Sequence, residues 1–177
     1  MEFSLLGWPP DGPTLQLDYR RFSYAGKFVM SSTGKAVARP ESGGEIVGAT
    51  AFNEDRTDAE TLWIRYVTVR DDYRGEGVGP PLLTFTVARA RDRGYERVKI
   101  AVNNPFAYQA AYRAGFVYVG EETGVAELVM ETGDTADADS YQSGLDVFRN
   151  RDVSDPEADF LRAKVGVDPP ETLVGPE

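Results

Sequence analysis

Tyr66-Val67-Thr68-Val69-Arg70-Asp71-Asp72-Tyr73-Arg74-Gly75-Glu76-Gly77-Val78-Gly79 changes texture twice within one short stretch. From Leu62 to Val69 the residues are apolar, aromatic or β-branched, with only Arg65 charged, which predicts a strand covered on both faces. From Pro80 onward Leu82, Leu83, Phe85, Val87 and Ala90 recur at helical spacing, with Arg89, Arg91, Asp92 and Arg93 on much of the other face. Pro80 or Pro81 suits a first helical turn, where a missing N–H costs little. Between strand and helix lie three glycines in five residues, and glycine lets a backbone approach a ligand closely. The helix start adds free N–H groups and the positive end of a dipole. Arg74 adds a planar, permanently charged fork. Such a turn suits a phosphate or pyrophosphate, although a glycine-rich turn with no ligand reads the same way.

Two other phosphate motifs do not fit. A Walker A loop ends in Gly-Lys-Ser/Thr, whereas this one ends Gly79-Pro80-Pro81. Glycines at 75, 77 and 79 also miss the Gly-x-Gly-x-x-Gly of dinucleotide folds. Arg74-x-x-Gly77-x-Gly79 instead resembles the Arg/Gln-x-x-Gly-x-Gly/Ala signature of the GNAT N-acetyltransferase superfamily. A second motif of that family, Asn-x-x-Ala followed by Gly-Phe, is matched by Asn104-Pro105-Phe106-Ala107 and Gly115-Phe116. The resemblance covers residues 60 to 131 by motif and 14 to 59 by strand pattern alone.

The resemblance implies an α/β (α+β) fold, a mixed, mostly antiparallel sheet with a splayed central strand pair and flanking helices. It implies acetyl-CoA as co-substrate and no metal. Val67, Thr68 and Val69 would pair with the pantetheine arm. Arg74 and the amides of Gly75, Glu76, Gly77, Val78 and Gly79 would hold the pyrophosphate. Asn104 would bond the amide arm, besides or instead of capping its helix. Many members place a tyrosine four residues before the second-motif glycine to protonate the leaving thiolate. Here that position is Ala111, and Tyr112 follows, turned by roughly 100° around a helix. Tyr112 is the candidate general acid, Tyr108 its substitute, and water the alternative. The base is open between Glu54, Asp55 and water. The acceptor would be a small-molecule or peptide amine.

Composition narrows the chemistry. The 177 residues include no cysteine and no histidine, which excludes disulfides, thiolate nucleophiles, Ser-His-Asp triads and ordinary zinc sites. A net charge of −10 argues against nucleic-acid partners. Only Lys27, Lys35, Lys99 and Lys164 are lysines, and an acidic, lysine-poor surface fits a salt-rich cytoplasm or a plainly acidic protein. The start lacks a basic region and long apolar core, and no stretch is long enough to span a membrane, so a cytoplasmic protein with no membrane partner is expected.

Along the chain, residues 1–13 read as turns, Leu15 to Tyr19 as a half-buried strand, and 21–30 as a short helix bearing Phe22 and Tyr24. Residues 35–39 and 45–53 read as a hairpin. A strand at 97–102, a helix from Asn104 to Ala114, and strands at 116–119 and 125–131 follow. Residues 1–132 form the expected domain. Residues 133–177 form an acidic appendage with a polar linker, two short helices and a loose end, able to dock or serve a homodimer. Two other functions stay open: a catalytically silent acyl-CoA-binding or regulatory module, and a scaffold acting through the appendage.

Overall fold

The computed structural model describes residues 1–124, 126–133 and 136–173. The chain forms two compact units, Met1–Val98 and Lys99–Leu173. The fold is mixed α/β with mostly antiparallel strands, as the resemblance implies.

In the first unit β1 (Glu2–Gly7), β2 (Gly34–Arg39), β3 (Gly48–Glu54) and β4 (Thr61–Val69) run antiparallel in sequence order. One helix, α1 (Gly79–Asp92), covers one face of this sheet. Its Thr86 hydroxyl donates to Leu82 O at 2.9 Å and meets Thr50 Oγ1 of β3 at 2.9 Å, while Phe85 stacks on Phe3 of β1 at 5.8 Å. The opposite face buries Phe28, Val37, Ala49 and Ala51 under Leu6, Leu15, Leu17, Ile46 and Tyr66. Burial of these apolar groups holds the layer together.

Here the structure corrects three expectations. Residues 2–7 form β1, not turns. Leu15 and Leu17 do pack inward, but in irregular chain: Leu15 N–H donates to Phe28 O rather than to a ladder. The helix of 21–30 shrinks to a 3-10 turn, Ala25–Val29; ahead of it Phe22 is buried and Tyr24, at its N-cap, is half exposed.

The second unit holds most of β5 (Arg97–Val102), then α2 (Pro105–Arg113), β6 (Phe116–Thr123) and β7 (Glu127–Thr132). Strand β7 pairs antiparallel with both β5 and β6. Next come α3 (Ala138–Arg149), capped by Asp137, and α4 (Asp155–Ala163), whose Ser154 and Glu157 form a capping box. Both helices of the expected appendage therefore exist, within the same compact unit as β6. The end is not loose as far as it is described: Leu173 N–H donates to Arg113 O at 2.7 Å, and Thr172 lies over Gly115. Val125 of the expected last strand, residues 134–135 of the expected linker and residues 174–177 lie outside the described residues.

Four tyrosines organise this unit. Tyr108, Tyr112 and Tyr141 are each at most 1% exposed, and Tyr108 lies 4.9 Å from Tyr112, 6.0 Å from Tyr141 and 6.3 Å from Tyr118 between ring centroids. Buried hydroxyls need partners. Tyr108 donates to Tyr141 O at 2.9 Å, and Tyr141 donates to Gln109 Oε1. Burial drives the Tyr108 pKa far up, so its hydroxyl stays neutral.

Candidate active site

The expected anion loop sits in the first unit, at the end of β4. Asp71–Tyr73 make a single 3-10 turn, and α1 begins at Gly79. Gly75 and Gly77 take φ of 80° and 78°, the left-handed region open chiefly to glycine, and an added Cβ at either would meet nothing within 4 Å. The loop is therefore strained for other residues and open on its outer side.

Its donors divide into spent and unspent groups. The Asp71 N–H goes to Arg21 O, Tyr73 to Arg70 O, Arg74 to Asp71 O, and Glu76 to Tyr73 O. Leu82 N–H goes to Val78 O, and Pro80 and Pro81 have none to give. The N–H groups of Gly75, Gly77, Val78 and Gly79 donate to no protein group among the described residues. Helix starts usually present several orphan donors on their own first turn. With two prolines there, the donors lie mostly in the preceding loop.

Arg74 lies beside them, exposed, its Nε donating to Val69 O at 3.3 Å and its Nη2 to Ser23 Oγ at 3.1 Å. Neighbouring ion pairs brace the loop without using Arg74. Arg70 grips Asp72 bidentately at 2.7 and 3.0 Å and reaches Glu45, while Arg21 reaches Asp72 at 3.0 Å and Asp71 at 3.7 Å. The Arg70 guanidinium holds the Asp72 carboxyl below the usual carboxylate range.

Strand β4 carries a feature with no sequence signal. Tyr66 opposes Ala51 and Ile64 opposes Phe52, so Arg65 is an extra residue, a β-bulge. The bulge reverses which face the residues on either side address. Val67 opposes Thr50, on the α1 side, and Tyr66 opposes Ala51, on the other. Thr68 is 4% exposed and its Oγ1 has no hydrogen-bond partner among the described residues.

The candidate bases stand differently from one another. Glu54 opposes Leu62, at the end of β4 remote from the loop, and accepts from the Tyr95 hydroxyl at 3.2 Å. Asp55 accepts from the Thr57 amide at 2.9 Å, from the Thr57 hydroxyl, from the Asp58 amide and from Trp63 Nε1. The Thr57 amide first, then the Trp63 indole, draw its pKa down to about 2. A carboxylate so stabilised is a weak proton acceptor.

Asn104 and Tyr112 belong to the second unit. Asn104 Oδ1 caps α2 by accepting from Ala107 N–H at 2.8 Å, and its Nδ2 donates to Asn103 Oδ1 at 3.3 Å. The Tyr112 hydroxyl accepts from Tyr118 N–H at 3.1 Å and meets Ser140 Oγ at 3.0 Å. Ser140 donates in turn to Tyr118 O, so α3 closes over this hydroxyl.

Residues 4–116 match the family model described as the Acetyltransferase (GNAT) family. None of the curated proteins compared matches the chain. Among solved structures, a Bacillus subtilis acetyltransferase in complex with CoA is similar over 75% of this chain and 98% of its own, at 14% identity and TM-score 0.58. That likeness is one of fold. Nourseothricin acetyltransferase is 26% identical over 56% of this chain, with TM-score 0.48, and the match spans 64% of that protein's length. An IAA acetyltransferase from Bacillus cereus is 19% identical over 56% of this chain and 77% of its own, with TM-score 0.49.

Proposed function

The chain belongs to the GNAT acetyltransferase family, and from that premise we propose that it moves an acetyl group from acetyl-CoA to an amine by direct attack. The observation carrying this reading is the set of unspent amides at Gly75, Gly77, Val78 and Gly79 beside Arg74, with open space on the outer side of Gly75 and Gly77. These donors fit a diphosphate, which needs several N–H groups and one permanent cation.

Acetyl-CoA supplies an activated acyl carbon: the amine nitrogen bonds to it, the C–S bond breaks, and the thiolate leaves to take up a proton. The chain's residues bind and orient. Gly75, Gly77, Val78 and Gly79 donate to the diphosphate, and Arg74 turns its fork from Val69 O and Ser23 toward it. The Glu76 N–H keeps the loop's shape by staying on Tyr73 O. Main-chain groups of Val67, Thr68 and Val69 align the pantetheine arm, and an N–H among them polarises the thioester carbonyl. Holding the two reactants together does most of the catalysis. Asn104 acts as the α2 cap, its Oδ1 on the Ala107 N–H and its Nδ2 on Asn103 Oδ1. Water takes the ammonium proton, since Asp55 is committed to Trp63 and Thr57. Water also protonates the thiolate, with the Tyr112 hydroxyl tied to Ser140 and Tyr118.

Calorimetric titration with acetyl-CoA tests the reading. The parent chain binds; Gly77→Glu, which puts a bulky anion on the open side of the loop, weakens binding at least about tenfold. Equal affinity for parent and variant would show that the loop does not hold the diphosphate.

A further inference from the structure

The face of β4 turned away from α1 carries a group of side chains that the transfer step does not use. Tyr24 is the one non-glycine residue with positive φ, 62°, among the described residues, and it is 50% exposed. Strained backbone of this kind persists only where the surroundings impose it and clusters at ligand sites. Its ring lies 5.7 Å from that of Tyr66. Lys27 Nζ stands 5.8 Å from the same Tyr66 ring. One residue along, the bulged Arg65 lays its guanidinium 5.2 Å over Trp63 and donates from Nε to Asn53 Oδ1 at 2.7 Å.

Neither Lys27 nor Arg65 has a carboxylate within ion-pair distance among the described residues. Asp55 contributes a favourable charge to Arg65, yet its oxygens are taken by Trp63, Thr57 and the Asp58 amide. What sets these two cations apart is their place, Lys27 against the Tyr66 ring and Arg65 against the Trp63 ring on one stretch of β4. Bulk charge of −10 favours a cationic acceptor, but it is screened within about 8 Å at physiological salt, whereas contacts on this face are not.

Position links the group to the reaction, and here the inference rests on the function proposed above. A pantetheine arm of about thirteen chain atoms is as long as about four residues of strand. Starting from a diphosphate at Arg74–Gly79 and running back along β4, it passes Val69 and Thr68 and brings the thioester to Val67, next to Tyr66 and the bulged Arg65. We infer that the acceptor is an amine carrying a carboxylate next to a flat apolar group, the carboxylate meeting Arg65 and Lys27 and the apolar part lying on Tyr24 and Tyr66. An aromatic amino acid has that chemistry.

Three probes isolate the carboxylate: L-phenylalanine, its methyl ester and phenethylamine. Acetylation of L-phenylalanine should exceed that of the other two by at least about tenfold in kcat/KM, the scale of one charge-assisted hydrogen bond. Arg65→Gln and Lys27→Gln should each narrow the gap. A second readout needs no turnover: N-acetyl-L-phenylalanine should perturb Trp63 fluorescence in the parent and fail to do so in Arg65→Gln. Equal or faster reaction of phenethylamine or spermidine overturns the inference, as does acetyl-CoA binding with none of the probes acetylated. If acetyl-CoA itself does not bind, the transferase reading falls instead.

Discussion

Gly144→Ala sets two physical effects against each other inside α3. By helix propensity alone, alanine in a helix interior should stabilise by about 1 kcal/mol over glycine. The surroundings oppose this. A Cβ at 144 would lie 2.6 Å from Tyr108 Cε2, with Cζ and Oη nearer still. Tyr108 has no room to retreat, being fully buried and ringed by Tyr112, Tyr118, Tyr141 and Phe148. Forcing it aside costs about 1–3 kcal/mol in overpacking. It also breaks the Tyr108 hydrogen bond to Tyr141 O, worth about 1 kcal/mol. The net is a loss of about 2 kcal/mol, or roughly 4–8 °C in melting temperature for a chain this size. The assay is thermal unfolding by circular dichroism, with Ser143→Ala as control. Ser143 is exposed on the same helix, so alanine there should be neutral or slightly stabilising. A Gly144→Ala protein as stable as its parent would refute the claim that α3 docks through Tyr108.

Tyr112→Phe should lower stability by about 1–3 kcal/mol by leaving the Tyr118 N–H and Ser140 without their partner. Its turnover should change less than about threefold; a folded variant slowed by about a hundredfold or more would return proton delivery to Tyr112. Asp55→Asn should destabilise in a pH-dependent way. The native carboxyl has its pKa lowered from 3.8 to about 2, so its contribution is complete above about pH 4 and is lost as pH falls through about 2. Urea midpoints of parent and variant should differ at pH 5 and converge toward pH 2; a constant offset would contradict this.

The parts of the fold readable in the sequence were those marked by local chemistry. Asn104-Pro105 starts α2 because an Asx cap and a proline each satisfy the helix entry, and Gly115 ends it. The glycine turn between β4 and α1 was legible because Gly75 and Gly77 must take positive φ. Strand β1 was hidden because Phe3, Leu5 and Leu6, broken by Ser4, make too short an apolar pattern ahead of Pro9-Pro10, and only pairing with β2 makes it a strand. Leu15 and Leu17 alternate for burial on Phe28 without a partner strand, so periodicity there reported packing alone. The bulge at Arg65 is a matter of register between two strands, and neither strand carries it alone. That Pro80 and Pro81 leave their turn without N–H groups could have been read directly; that Glu76 spends its amide on Tyr73 could not.

The ladder between β3 and β4 would close without Arg65. Deleting that residue would leave Ile64 on the helix side, Tyr66 on the other and Val67 back on the helix side, in unbroken alternation. Every neighbour would keep its place in the core, and the strand would be one rise shorter and straighter. Arg65 is thus surplus to the architecture, carried by a fold that has no mechanical use for it, at the one point in β4 where the chain bends out of step.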